Sequence, residues 1–397
     1  MTQPISYRGN VALLACCQAL LLTNNVTLIS VGALAGFALA ANKAFATAPQ
    51  AAYVLGALLG TFPMSVWMRR VGRRNGFLTG GCFGLAGSAV ATLAMSAKSL
   101  PILCLGTLLI GVYNASGQYY RFAAADASPV ASKPKAISFV LAGGLVGGLV
   151  GPEVSKFTRV LMEPMFIATY ASLIVFCLVA MAIVSRIALP AITETHEDAP
   201  ARPLSRIARQ PVFIVAAGAA ALGYGTMNLL MTATPLAMGF CGLPYSASAT
   251  VIGSHVIAMF GPSFFTGSLI KRFGVLGVML AGAACQFACV AVALSGQLVM
   301  HFWWALVLLG VGWNFLYIGG TTLLTQAYRP SERAKVQGAN EIAIFSVQAV
   351  SALSSGILVN AKGWATLNEV ALPLICVAAL AILWLMATSR GAPATAR

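Results

Sequence analysis

Apolar runs of roughly 20 residues recur from one end of this sequence to the other, and each is long enough to cross a bilayer as a helix. Twelve can be drawn, over 11–40, 49–69, 75–96, 100–124, 136–158, 165–188, 210–238, 247–270, 275–295, 300–326, 337–359 and 367–388. Hydrocarbon offers no partner to a backbone N–H or C=O, so only helices or closed barrels can span it. At this length per run the expected fold class is an all-α integral membrane protein. Only 8% of residues are charged, against roughly a quarter in soluble domains. No segment between spans is large enough for a separate soluble activity, which argues against an enzyme.

The formal charge of +15 has two readings, nucleic acid or membrane topology, and its distribution decides. With the N-terminus inside and alternating spans, Lys43, Lys98, Lys156, Arg159 and Lys362 fall outside. The other nineteen of the 24 basic residues fall inside. That is the positive-inside bias, and it calls for no nucleic acid. Both termini are then cytoplasmic. The N-terminal stretch after Arg8 resembles a signal peptide, but its apolar run continues without a small-residue cleavage site, so it reads as a retained first span. The nine cysteines lie mostly within apolar spans and suggest no disulfide framework.

One long polar segment, "LPAITETHEDAPARPLSRIARQP", interrupts the spans. Rich in Pro and charge, it reads as a linker over 189–209 between two sets of six, 1–188 and 210–397. The two sets echo each other. "SVWMRRVGRR" follows the second span and "GSLIKRFGVL" the eighth, each with a basic pair two residues before a glycine. Two six-span repeats with a solute site near the midplane are a transporter arrangement.

These loops resemble the glycine–basic motif of the major facilitator superfamily. "GGLVGGLVGPEV" in the fifth span is similar to that family's Gly/Pro-rich motif. Gly143, Gly147 and Gly151 would let a neighbouring helix approach closely. The resemblance implies a twelve-helix major facilitator fold that works by alternating access. It departs from the drug/proton antiporters, because the fourth span carries no Arg before Arg121 and the first offers Asn24 and Asn25 rather than an acid.

Ionisable groups within spans are costly and therefore candidates for function. Glu153, Glu341, Asp126 and Arg121 are candidates for coupling or gating, with Asp126 and Arg121 close enough in sequence to pair. A different chemistry emerges from the seventh and eighth spans. Met227 and Met231 share one helix face, as do His255 and Met259. The loop between these spans is short, so they run antiparallel. At about 1.5 Å per residue, Met231 and His255 lie roughly 12 and 14 Å below it, and Met227 and Met259 roughly 18 and 20 Å. A buried imidazole alone is ordinarily satisfied by a backbone or hydroxyl partner. Three thioethers at matching depth make a soft donor set that suits copper.

That Met-xxx-Met, His-xxx-Met pattern resembles the CcoA-type copper importers of the superfamily, a group that also holds riboflavin-uptake relatives. It implies import of copper across the bacterial inner membrane for cbb-type cytochrome oxidase assembly, with copper as cargo rather than prosthetic group. A cytoplasmic copper acceptor and a monomeric state go with it. Cys241, at the mouth between the two spans, is a candidate relay. Two rivals stand beside this. One is uptake of an organic solute such as riboflavin, through Trp313, Asn314 and Tyr317 in the tenth span with Asn24 and Asn25. The other is a copper-binding sensor that transports nothing.

Overall fold

The computed structural model describes residues 7–129, 132–189 and 202–390. Among these, every regular element is helical. The first group comprises α1 (Tyr7–Leu39), α2 (Ala48–Val71), α3 (Arg73–Ser96), α4 (Leu100–Gly117), α5 (Tyr120–Asp126), α6 (Lys133–Thr158) and α7 (Ile167–Val184). A short α8 (Leu204–Ala208) leads into the second: α9 (Pro211–Phe240), α10 (Tyr245–Phe260), α11 (Ser263–Phe273), α12 (Val275–Ser295), α13 (Val299–Leu324) and α14 (Arg333–Arg390). Most of the predicted linker, residues 190–201, lies outside the described residues.

Among the described residues, ten segments are long and apolar enough to cross a membrane, and the bent pair α10–α11 makes eleven. The 58-residue α14 would run about 87 Å if straight, far more than one bilayer crossing. It breaks at Gly363 (φ 82°, ψ −179°), so it supplies two spans and the total becomes twelve. Expected and observed elements differ in three places. The fourth span turns at Gln118–Tyr119 between α4 and α5. The eighth bends by 44° between α10 and α11. The last two spans are continuous up to the glycine break.

The bend follows from Pro262, which has no N–H to continue the helical ladder. Asn314 of α13 braces it. Its amide donates to the Met259 carbonyl (2.6 Å) and to Ser263 Oγ (2.7 Å), and its oxygen accepts from Thr266 Oγ1 (2.7 Å).

The internal echo is visible in the backbone. Gly72 (φ 82°, ψ 158°) joins α2 to α3, and Gly274 (φ 77°, ψ 154°) joins α11 to α12. A side chain is disfavoured at such angles, so the glycine after each basic pair fixes the same tight reversal twice.

Helices α1–α7 pack among themselves, as do α9–α14, and the groups meet mainly through α2 against α14 and α6 against α10. The glycines of α6 work as expected on their own group. A Cβ at Gly143 would lie 2.4 Å from the Ala15 carbonyl oxygen, and one at Gly147 2.5 Å from the Leu22 backbone, both in α1. Gly148, one position round, faces Val256 of α10 across the groups.

The face bearing Arg70, Arg73, Lys271 and Arg272 is called the basic face below. At the opposite face the groups are joined. The Thr47 hydroxyl donates to the Leu353 carbonyl (3.3 Å) and accepts from the Gly356 N–H (3.1 Å). The Tyr245 hydroxyl donates to Ser155 Oγ (2.7 Å), and Lys156 donates to Thr250 Oγ1 (3.1 Å). Phe37 and Phe240 meet edge to face at 5.7 Å. Pockets lie at both faces, one lined by Lys135, Ser138, Phe139, Ala142 and Phe264 between α6 and α11, and one at the opposite face lined by Phe37, Lys43, Phe240 and Val359.

Candidate solute site

Trp313 and Tyr317 sit four apart on α13, so one helix face carries both. Their rings stack at 5.0 Å with 10° between planes. Tyr224 of α9 stands edge-on to both, at 5.1 Å and 86° and at 5.5 Å and 90°. Phe260, at the end of α10, meets Trp313 edge-on at 5.8 Å. Gly223 and Gly225 flank Tyr224, and Cβ atoms there would run into Leu316 and Val347, so α9 can seat this ring close to both α13 and α14. The Trp313 Nε1 proton is buried with no acceptor. An unanswered indole N–H in an aromatic recess costs free energy, and a ligand carbonyl would answer it.

The predicted site residues distribute as follows. Met227, Met231 and Met259 are buried and belong to one apolar cluster with Leu309, Trp313 and Val26 of α1. His255 is fully buried, and its Nδ1 lies 2.7 Å from the Leu306 carbonyl of α13. Gly310 permits the close crossing, since a Cβ there would fall 2.7 Å from the His255 carbonyl oxygen. A carbonyl requires Nδ1 to carry the proton, which leaves Nε2 as an acceptor, and Nε2 is buried without a partner. No group of three or more His, Cys, Asp or Glu assembles among the described residues. Cys241 lies at the end of α9, its thiol 3.4 Å from Gln297 Oε1. Burial pushes that thiol up in pKa, away from the thiolate that binds metal.

Of the solute candidates, Trp313 and Tyr317 are in the aromatic cluster and Asn314 is committed to the bend. The Asn25 amide donates to Asn114 Oδ1 of α4 at 2.8 Å, while Asn25 Oδ1 has no partner. Asn24 points the other way, to the Leu173 carbonyl and Cys177 of α7. Among the charged candidates, one expected pairing is corrected. Asp126 accepts from Arg73, at 2.8 and 2.5 Å, and not from Arg121. The turn at Gln118–Tyr119 starts a new helix at Tyr120, and the α3 side chain reaches its end first. Glu153 is largely exposed and accepts from Lys156 at 2.6 Å. Arg121 and Glu341 act electrostatically on Tyr317 and on each other.

A profile of the Major Facilitator Superfamily matches residues 11–352. The chain belongs to the major facilitator superfamily. This facilitator is 38% identical over 380 residues to the riboflavin transporter RfnT of Brucella anthropi, covering 94% of its own length and 95% of that relative's. It is 28% identical over 359 residues to YddS of Bacillus subtilis, an uncharacterised transporter of the same type, covering 86% and 82%. Its fold superposes on a D-xylose–proton symporter with a TM-score of 0.73 at 13% identity, over 96% and 97% of the two chains. A nucleoside transporter NupG gives 0.69 at 12% identity over 95% and 98%. The facilitator is thus an all-helical, multi-pass membrane protein of a transporter family.

Sequence reasoning missed Tyr224 and Phe260. For Tyr224 a signal existed, an aromatic between two glycines inside an apolar span. For Phe260 none did, because its place beside Trp313 depends on the bend that follows it.

Proposed function

We propose that this facilitator moves a flat heterocyclic solute of the riboflavin class across the bacterial inner membrane. The observation that carries the reading is the 38% identity, over nearly the whole of both chains, to a riboflavin transporter. The stacked Trp313–Tyr317 pair with edge-on Tyr224 and Phe260 supports it, because large aromatic faces suit a planar ring system. The two groups rock about this cluster, the basic face is cytoplasmic, and the unit is a monomer. Riboflavin uptake into proteoliposomes tests the reading. Wild type should accumulate riboflavin, and Trp313→Ala should lower the rate by about tenfold, the order expected when a stacking face is lost. An inert wild type would sink the flavin reading.

One observation favours a second reading, copper as cargo. A His whose Nδ1–H is held by a carbonyl and whose Nε2 is open is arranged as metal-binding histidines are, and Met227, Met231 and Met259 belong to the apolar cluster that contains its partner Leu306. On the flavin reading, His255→Ala leaves cellular copper unchanged. Loss of copper accumulation with riboflavin uptake intact would favour the second reading.

A further inference from the structure

The aromatic cluster accounts for the faces of a flat ring but not for its polar edge. Two charged side chains stand beside it, one from each group. Arg121, on α5, acts electrostatically on Tyr317, and Tyr317 packs with Ile344 and Val347 of the same α14 limb that carries Glu341. Glu341, on the first limb of α14, acts on Tyr317, Tyr224 and Arg121. Depth agrees. Glu341 lies about 12 Å along α14 from its start, and Tyr317 about 10 Å from the end of α13, on the same face of the molecule. Beyond Arg121, the polar neighbour of Glu341 is the Asn340 side chain.

The guanidinium is not fully used by the protein. Arg121 Nε is buried without an acceptor, and so is Trp313 Nε1 a short way along the same surface. Buried donors left open are costly, and acceptors on a ligand would answer them. A guanidinium and a carboxylate that act on each other from the two groups present donors and an acceptor together.

We propose that Arg121 and Glu341 hold the imide edge of a planar heterocycle. The guanidinium donates to a ring carbonyl and the carboxylate accepts the ring N–H. This rests on the organic-solute reading above and deepens it. The edge of an isoalloxazine presents carbonyl, N–H and carbonyl in a row. A carboxylate alone would repel the two carbonyls, and a guanidinium alone would leave the N–H unanswered. The pair satisfies both while Trp313 and Tyr317 cover the ring face. Because the two residues belong to different groups, a ligand so held bridges them.

The test measures binding to the purified full-length protein in detergent by quenching of flavin fluorescence. The probes are riboflavin and N3-methylriboflavin, in which a methyl replaces the imide proton. Wild type should bind the methylated compound at least about tenfold more weakly, the order expected when a hydrogen bond to a charged acceptor is lost. Glu341→Ala should weaken riboflavin by a similar factor and bring the two ligands to within about threefold of each other. Equal binding of both ligands by wild type, or undiminished discrimination in Glu341→Ala, overturns this assignment while leaving the flavin reading in place. Failure of wild type to bind riboflavin at all overturns both. The comparison of ligands on wild type needs no variant to fold.

Discussion

Glu332 is the best-tied carboxylate among the described residues. It sits in the turn between α13 and α14, with its side chain fully buried. The Arg202 side chain gives it two charge-assisted hydrogen bonds, at 2.8 and 2.7 Å, and the Arg202 and Arg329 backbone N–H groups add two more. The Arg202 hydrogen bonds hold its carboxyl well below the ordinary carboxylate range. A carboxyl lowered in the folded state stabilises fully above its unfolded pKa and loses that contribution as pH falls through the folded value. The melting midpoint of purified wild type should therefore decline as pH drops below about 4.5. Glu332→Gln should melt lower at pH 7 and show less of that acid decline. Equal pH profiles would remove Glu332 from the account. The arrangement also explains where the segment after the linker goes, since Arg202 ties it to the second group and Ile207 of α8 is buried there.

At the scale of elements, the α1–α6 crossing is exposed to mutation. A methyl at Gly147 would sit 2.5 Å from the Leu22 backbone, whereas at Gly239 near the end of α9 nothing lies within 4 Å. Gly147→Ala should cost about 1–3 kcal/mol by overpacking, and Gly239→Ala should be neutral or slightly stabilising. Differential scanning fluorimetry of the two variants reads the contrast, and similar midpoints would refute it. The glycine spacing was legible because small residues every four positions can only line one helix face. The twelve spans were legible for the same kind of reason, since hydropathy alone determines what can cross a bilayer. The bends were not. Pro262 lies inside an unbroken apolar run, and nothing local says that Asn314 will brace it. The same residue shows why the site was only half legible. Trp313 and Tyr317 share a face by spacing alone, but Asn314, next to Trp313, belongs to another face, and which face meets which helix is settled by packing.

For the whole molecule, alternating access requires the opposite face to open. A Cβ at Gly356 would lie 2.4 Å from Thr47 Oγ1, within bridging range of a disulfide between these positions. Combining Thr47→Cys with Gly356→Cys and oxidising should arrest riboflavin uptake in proteoliposomes. Reductant should restore it, and either single variant should keep it. Undiminished uptake by the bridged protein would mean that this seam does not part during transport. The seam has a further consequence. It is closed by four hydrogen bonds and by ring contacts such as Arg159 over Tyr245, and no ion pair crosses it among the described residues. At about 0.5–1.5 kcal/mol net for each hydrogen bond, those four contribute only a few kcal/mol, and the packing of α2 against α14 and of α6 against α10 adds to them. A ligand moves a 1:99 population to 99:1 by preferring one state by about 5.5 kcal/mol, which is comparable with the hydrogen-bonded part of the seam alone. Anything that opens this face therefore works chiefly against the packing of α2 on α14 and of α6 on α10, not against charge.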